Sequence, residues 1–262
     1  MNDLLIYLFL GSFAGLIAGL LGVGGGIVVV PALVLAFRHQ GINDEILMHL
    51  ALGTSLATIV VTTLSAVRAH HRRGAVQWAL VRRLAPALLI GALAGSWLAD
   101  AISGRWLTRL FGLLALAVSV QMLLNRQPSA GHHRGGAETT AVGLGIGVLS
   151  ALTGIGGGTV MVPYLMWSRT AAQQAVATSS ACGLPIALAG ASGFVVAGYG
   201  NAALPQASLG YVYLPAFLGI VALSIVFAPL GARLAHWLPA GRLKKVFALF
   251  LGAVGLQMLF RT

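Results

Sequence analysis

Acidic side chains are almost missing from this chain, which has five Asp and Glu against sixteen Lys and Arg in 262 residues. Charged residues of both signs make up 8% of it, whereas a soluble domain carries about 25%. A water-facing surface cannot be assembled from so few. Cysteine is also scarce: Cys182 stands alone, which excludes an intrachain disulfide and a multi-cysteine metal site. Cys182 reads as a small core residue. The apolar stretches contain no nucleophile–base–acid constellation and no Walker lysine, so the chain is not expected to be an enzyme or to drive transport with ATP by itself. No cofactor is implied.

What is present is apolar. Hydrophobic residues account for 58% of the chain, mean hydropathy is +0.92, and 35 glycines are spread through it. Several runs exceed the roughly 18 residues that identify a spanning helix. Small residues let helices approach closely in lipid. The composition therefore describes an all-α polytopic integral membrane protein. The first run, Leu4 to Leu21, has no basic region ahead of it and is expected to belong to the mature protein. A net charge of +11 would point to nucleic acid in a soluble protein. Here the basic residues fall in short turns, so they read as determinants of orientation, with membrane lipid and not nucleic acid as the partner.

The chain is one unit made twice. GLLGVGGGIVVVPAL (Gly19 to Leu33) returns as LTGIGGGTVMVPYL (Leu152 to Leu165). At an offset of 132, Gly22, Gly24, Gly25, Gly26, Pro31 and Leu33 meet Gly154, Gly156, Gly157, Gly158, Pro163 and Leu165. The ends of the halves match at an offset of 136, where Gly95, Leu98, Phe111, Gln121, Met122 and Leu123 meet Gly231, Leu234, Phe247, Gln257, Met258 and Leu259. Repeat 1 covers 1–124, with a Gly-rich hairpin at 4–37 and spans at 46–67, 84–98 and 107–124. A cytoplasmic linker at 125–138 leads to repeat 2 at 139–262, with its hairpin at 139–167 and spans at 175–197, 209–230 and 246–260. Arg68, His70, His71, Arg72, Arg73, Arg82 and Arg83 are assigned to one basic loop.

Charge sets the orientation. If each hairpin enters and leaves on one side and each span crosses once, twelve Lys and Arg are cytoplasmic and four (Arg38, Arg105, Arg109 and Arg261) lie outside. That bias agrees with the positive-inside rule. Matching loops then swap sides, so the two repeats have inverted topology and both termini are expected outside the cytoplasm. Whether each hairpin is re-entrant or fully crossing is left open.

Inverted repeats with broken helices are a plan of secondary transporters, with substrate held near the midplane. Backbone groups freed at a break cannot face lipid. Glycine exposes its amides without a Cβ in the way, and free N–H groups at a helix start attract an anion. The candidate substrate-binding set is therefore Gly24, Gly25 and Gly26 with Thr54 and Ser55, and Gly156, Gly157, Gly158 and Thr159 with Thr178 and Ser179. Thr159 is placed to cap the second arm; Ile27 takes the equivalent position in the first. The competing reading is that the glycines only pack helices and the hydroxyls back-bond.

The paired motifs, GTS at Gly53 to Ser55 and ATS at Ala177 to Ser179 included, resemble the sulfite exporter TauE/SafE family over essentially the whole chain. The resemblance implies an inner-membrane, multi-pass carrier of small sulfur-containing oxyanions or organosulfonates, of the sulfite, thiosulfate or sulfoacetate type, driven by an ion gradient. Its motifs fall on Gly22, Gly24 to Gly26, Pro31, Thr54 and Ser55, and on Gly154, Gly156 to Gly158, Pro163, Thr178 and Ser179. Alternating access is the expected mechanism. An anion channel on the same scaffold, or a non-transporting scaffold subunit, are the alternatives. The coupling ion, the direction and a homodimeric assembly are left open.

Overall fold

The computed structural model describes residues 2–21, 25–124, 136–168, 170–234 and 240–260. The first half of the chain forms α1 (Asn2–Leu21), α2 (Gly26–His39), α3 (Asp44–Arg72), α4 (Trp78–Ala101) and α5 (Gly104–Leu124). The second half forms α6 (Gly136–Thr153), which starts within the expected linker, α7 (Gly158–Trp167), α8 (Ala172–Ala197), α9 (Leu214–Leu234) and α10 (Ala240–Phe260). A hairpin of β1 (Ser208–Leu209) and β2 (Val212–Tyr213) precedes α9. Among the described residues four helices are long and apolar enough to cross a membrane: α3, α4, α5, and α8 from Gln173 to Ala197. At ten residues, α7 rises only about 15 Å, half of the roughly 30 Å hydrocarbon core.

Helix ends follow local chemistry. Asn43 caps α3, its side chain accepting from the Glu45 N–H at 3.0 Å, with Asp44 and Glu45 at the positive end of the dipole and His70, His71 and Arg72 at the negative end. Those basic residues, expected in a loop, thus lie in the last turn of α3, and Arg68 lies one turn before the end. The helix α4 also begins earlier than expected, at Trp78 and not 84, and places Arg82 and Arg83 exposed in its first turns. Its start is fixed from outside: Gln77 N–H donates to Thr178 Oγ1 at 3.1 Å, and Trp78 Nε1 donates to His71 Nδ1 at 3.0 Å. The span expected from Leu209 starts at Leu214, because Ser208 to Tyr213 pair as strands.

The arms of each Gly-rich segment pack mainly on other helices and only slightly on each other. The helix α1 runs along α9 and α2 along α3; likewise α6 runs along α4 and α7 along α8. The contacts correspond residue by residue. A Cβ added at Gly15 would lie 2.7 Å from Ser224 Cα, and one at Gly147 would lie 2.6 Å from Leu88 O. Gly15 and Gly147 are related by the offset of 132, and Leu88 and Ser224 by 136. Close backbone approach at small residues replaces the hydrophobic drive that lipid cannot supply. Two further contacts, α3 on α8 and α5 on α10, each join one helix to its own counterpart.

The centre of the bundle is α3. Leu50, Leu52, Leu56 and Ile59 are each buried to within 1%. Near its start the buried His49 places Nε2 3.0 Å from Ala99 O and 3.1 Å from Ile102 O, at the C-terminal end of α4. Its ring stacks on Tyr211 of the β-hairpin at 5.2 Å. Tyr211 in turn donates its hydroxyl to Asp100 Oδ1 at 3.0 Å, tying the hairpin to the same helix end.

Candidate functional site

The second break is described in full. The helix α6 ends with Gly154 in the left-handed region (φ 65°). Gly154 N–H donates to Ala151 O at 3.2 Å and Ile155 N–H to Ser150 O at 3.0 Å, the double bond of a Schellman stop. Three residues after Gly154, Gly157 is again left-handed (φ 75°, ψ −14°) and caps α7 through its carbonyl, which accepts from Val160 and Met161. The first break repeats that cap: Gly25 has φ 70° and ψ −22°, and its carbonyl accepts from Val28 and Val29. A side chain at either cap would cost about 1–2 kcal/mol in backbone strain alone. Thr159 is not the cap; it stands second in α7, and no side-chain cap bond is made.

The two breaks meet. A Cβ added at Gly26 would fall 2.6 Å from Gly154 O and 2.7 Å from Ile59 Cδ1. One at Gly156 would fall 2.8 Å from Ile59 Cγ2. Ile59 of α3 therefore packs on both breaks at once. Ser55 ties them further, donating from Oγ to Gly154 O at 2.8 Å. The amides of Gly26 and Ile27 in α2, and of Gly158 and Thr159 in α7, have no acceptor among the described residues. As first-turn N–H groups they carry the positive end of each helix dipole.

The sequence candidates separate into three groups. Gly26 and Gly156 lie at the meeting point, Gly25 and Gly157 are the left-handed caps and Gly158 opens α7; Gly24 lies outside the described residues. Thr54, Ser55 and Thr178 are buried and engaged: Thr54 Oγ1 accepts from Tyr213 N–H at 3.0 Å and Thr178 Oγ1 from Gln77 N–H. The third group, Thr159 and Ser179, has buried hydroxyl oxygens without a hydrogen-bond partner. Two residues were missed. Ile59 looked like any other apolar position of α3. Ser150 belongs to no recurring motif, and Ala18 stands at its equivalent position in the first half.

A bundle of long apolar helices, interrupted twice by glycine and closed around its own freed backbone groups, defines a multi-pass membrane protein. The model of the sulfite exporter TauE/SafE family matches residues 7–258, and the chain belongs to that family. It is 36% identical to a probable membrane transporter protein of Haemophilus influenzae, over 98% of both chains. It is 30% identical to one of Xylella fastidiosa, covering all of this chain and 97% of that one. Against one of Methanocaldococcus jannaschii the identity is 27%, over 97% and 94% of the two chains. No solved structure matches. The chain is a transport protein of the inner (cytoplasmic) membrane, and these relatives carry transporters' names, not enzymes'.

Proposed function

We propose that the protein is a secondary transporter of small anions, sulfur-containing oxyanions or organosulfonates, working by alternating access around the two glycine breaks. The observation that carries this reading is the convergence of the breaks. Gly26 lies against Gly154 and Ile155, while four first-turn amides remain without acceptors among the described residues. Such amides, at lipid depth, are stabilised by an anionic ligand. The candidate binding set is Gly24 to Gly26, Gly156 to Gly158, Thr159 and Ser179, with Thr54, Ser55 and Thr178 holding the walls.

The same reading takes 1–124 and 139–262 as inverted repeats joined by a cytoplasmic linker. It is supported by the paired contacts of α1 on α9 and α6 on α4, and by the twelve-to-four basic asymmetry. Each break then belongs to one repeat, and rocking of one repeat against the other opens the site to alternate sides.

The test is uptake into proteoliposomes containing the purified chain alone. Saturable sulfite or sulfonate flux with counterflow supports a carrier. Single-channel currents would replace it by a channel, and no flux of any anion would leave the scaffold reading. Cysteine labelling in a Cys182→Ala background checks the orientation: a probe at Arg73 should be reached only from the cytoplasm.

A further inference from the structure

Helical hydroxyls in this chain habitually donate to the carbonyl one turn back: Ser12 to Leu8 at 3.0 Å, Thr108 to Gly104 at 2.8 Å, Thr153 to Leu149 at 2.7 Å, Ser180 to Val176 at 2.9 Å and Ser192 to Leu188 at 2.8 Å. This is the default for Ser and Thr within a helix. Among the described residues four buried hydroxyls have no partner: Ser150, Thr159, Ser179 and Ser208. Ser208 is in the β-hairpin. Ser150 and Thr159 flank the second break, at the end of α6 and the start of α7, and Ser179 lies in α8. Leaving a buried hydroxyl unpaired costs about 1–3 kcal/mol, so this grouping calls for a ligand.

Ser179 has a further candidate partner. Its equivalent Ser55 donates to Gly154 O, and the matching acceptor, Gly22, lies outside the described residues. Ser150 and Thr159 have no such counterpart bond, because the first repeat holds Ala18 and Ile27 at their positions. Ser150 is 2% exposed. A Cβ added at Gly157, the cap of α7, would lie 3.5 Å from Ser150 Oγ, so the hydroxyl is aimed at the start of that helix. Thr159 belongs to the first turn of the same helix, beside the acceptor-free amides of Gly158 and Thr159 itself. The first break offers no hydroxyl there, and its Gly26 is covered by Gly154 O and Ile59.

We propose that the second break supplies the side-chain donors of the anion site. A small oxyanion accepts from Ser150 Oγ, Thr159 Oγ1 and the Gly158 and Thr159 amides, while Ala18 and Ile27 at the matching positions of the first break have no donor to offer. The proposal rests on the anion-transport reading above and names its donors. A set of neutral, separately directed donors suits an anion with several oxygens better than a spherical halide.

The test is binding to the purified full chain by calorimetry, with sulfite, thiosulfate, methanesulfonate, acetate and chloride as probes. For the oxyanion bound tightest, Ser150→Ala and Thr159→Val each weaken affinity about tenfold or more, the worth of a hydrogen bond to a charged group. Thr159→Ser stays near wild type, and Ile27→Val at the first break changes nothing. Ligand-free unfolding midpoints do not fall, because neither hydroxyl bonds another group among the described residues. Affinity within about threefold of wild type in the Ser150→Ala/Thr159→Val double variant, or a loss of ligand-free stability without a loss of affinity, overturns the proposal. A wild-type chain that binds none of the probes overturns the anion reading itself.

Discussion

Tyr213 donates its backbone N–H to Thr54 Oγ1 at 3.0 Å, across 159 residues of sequence. Gln77 makes the equivalent bond to Thr178 Oγ1 at 3.1 Å, and Gln77 and Tyr213 are related by the same offset of 136 that aligns the ends of the repeats. Each threonine thus receives the amide just ahead of α4 or α9, from the other repeat. Thr54→Val removes that acceptor and orphans a buried N–H, so unfolding stability should fall by about 1–3 kcal/mol. Thr54→Ser should recover most of it, and Thr178→Val should behave like Thr54→Val. Thermal unfolding of the purified protein reads all three.

Gly157→Ala combines two penalties. The left-handed backbone (φ 75°) costs about 1–2 kcal/mol for any residue with a Cβ, and the new methyl would sit 2.6 Å from Ile186 Cδ1. In the Gly157→Ala background, Ile186→Val should relieve the overlap and leave the backbone cost. The double variant is expected to regain part of the lost unfolding midpoint, and full recovery would show that the left-handed cap is unimportant.

Ile59→Ala empties the contact that both breaks share. A buried Ile→Ala change costs about 2–5 kcal/mol. Ser55→Ala removes the hydroxyl donor to Gly154 O and should cost about 1 kcal/mol. Because the two side chains act on the same meeting point, their effects should not add; a double-mutant cycle is expected to show coupling above about 0.5 kcal/mol.

Tyr211 links alkaline stability to the β-hairpin. Burial pushes its phenol above the ordinary value of 10.0, and the neighbouring Asp100 carboxylate pushes it further while Asn201 opposes. A raised value favours the neutral form in the folded protein. The contribution is therefore complete below pH 10 and is lost as pH rises through the folded-state value. Tyr211→Phe should lower stability at neutral pH by the Asp100 hydrogen bond and flatten the alkaline limb of the unfolding profile. An unchanged alkaline limb would mean another group carries it.

The class of the protein was fixed by bulk properties. With 8% charge and long apolar runs, only lipid can surround this chain, and that conclusion needs no coordinates. The recurrence of GVGGG as GIGGG was equally visible in the letters. At both copies one helix ends and another starts, Leu21 to Gly26 and Thr153 to Gly158.

Side-chain roles were not legible in the same way. Thr54 and Thr178 looked like ligand donors because hydroxyls in apolar spans are rare; that each receives an amide from the opposite repeat depends on a fold that brings residues 54 and 213 together. Ser150 and Thr153 are two helical hydroxyls one turn apart in type and context, yet Thr153 back-bonds to Leu149 and Ser150 does not. The difference lies in rotamer and neighbour, and no sequence pattern records it. Ile59 is the clearest case. Its letter says only that it is apolar, and packing alone sets it against both glycine breaks. Composition and periodicity determine what must avoid water and where the backbone can bend. Which hydroxyl is left without a partner is decided only when the two repeats close on each other, because hydrogen bonds act over about 3 Å while the sequence separates their ends by a hundred residues or more.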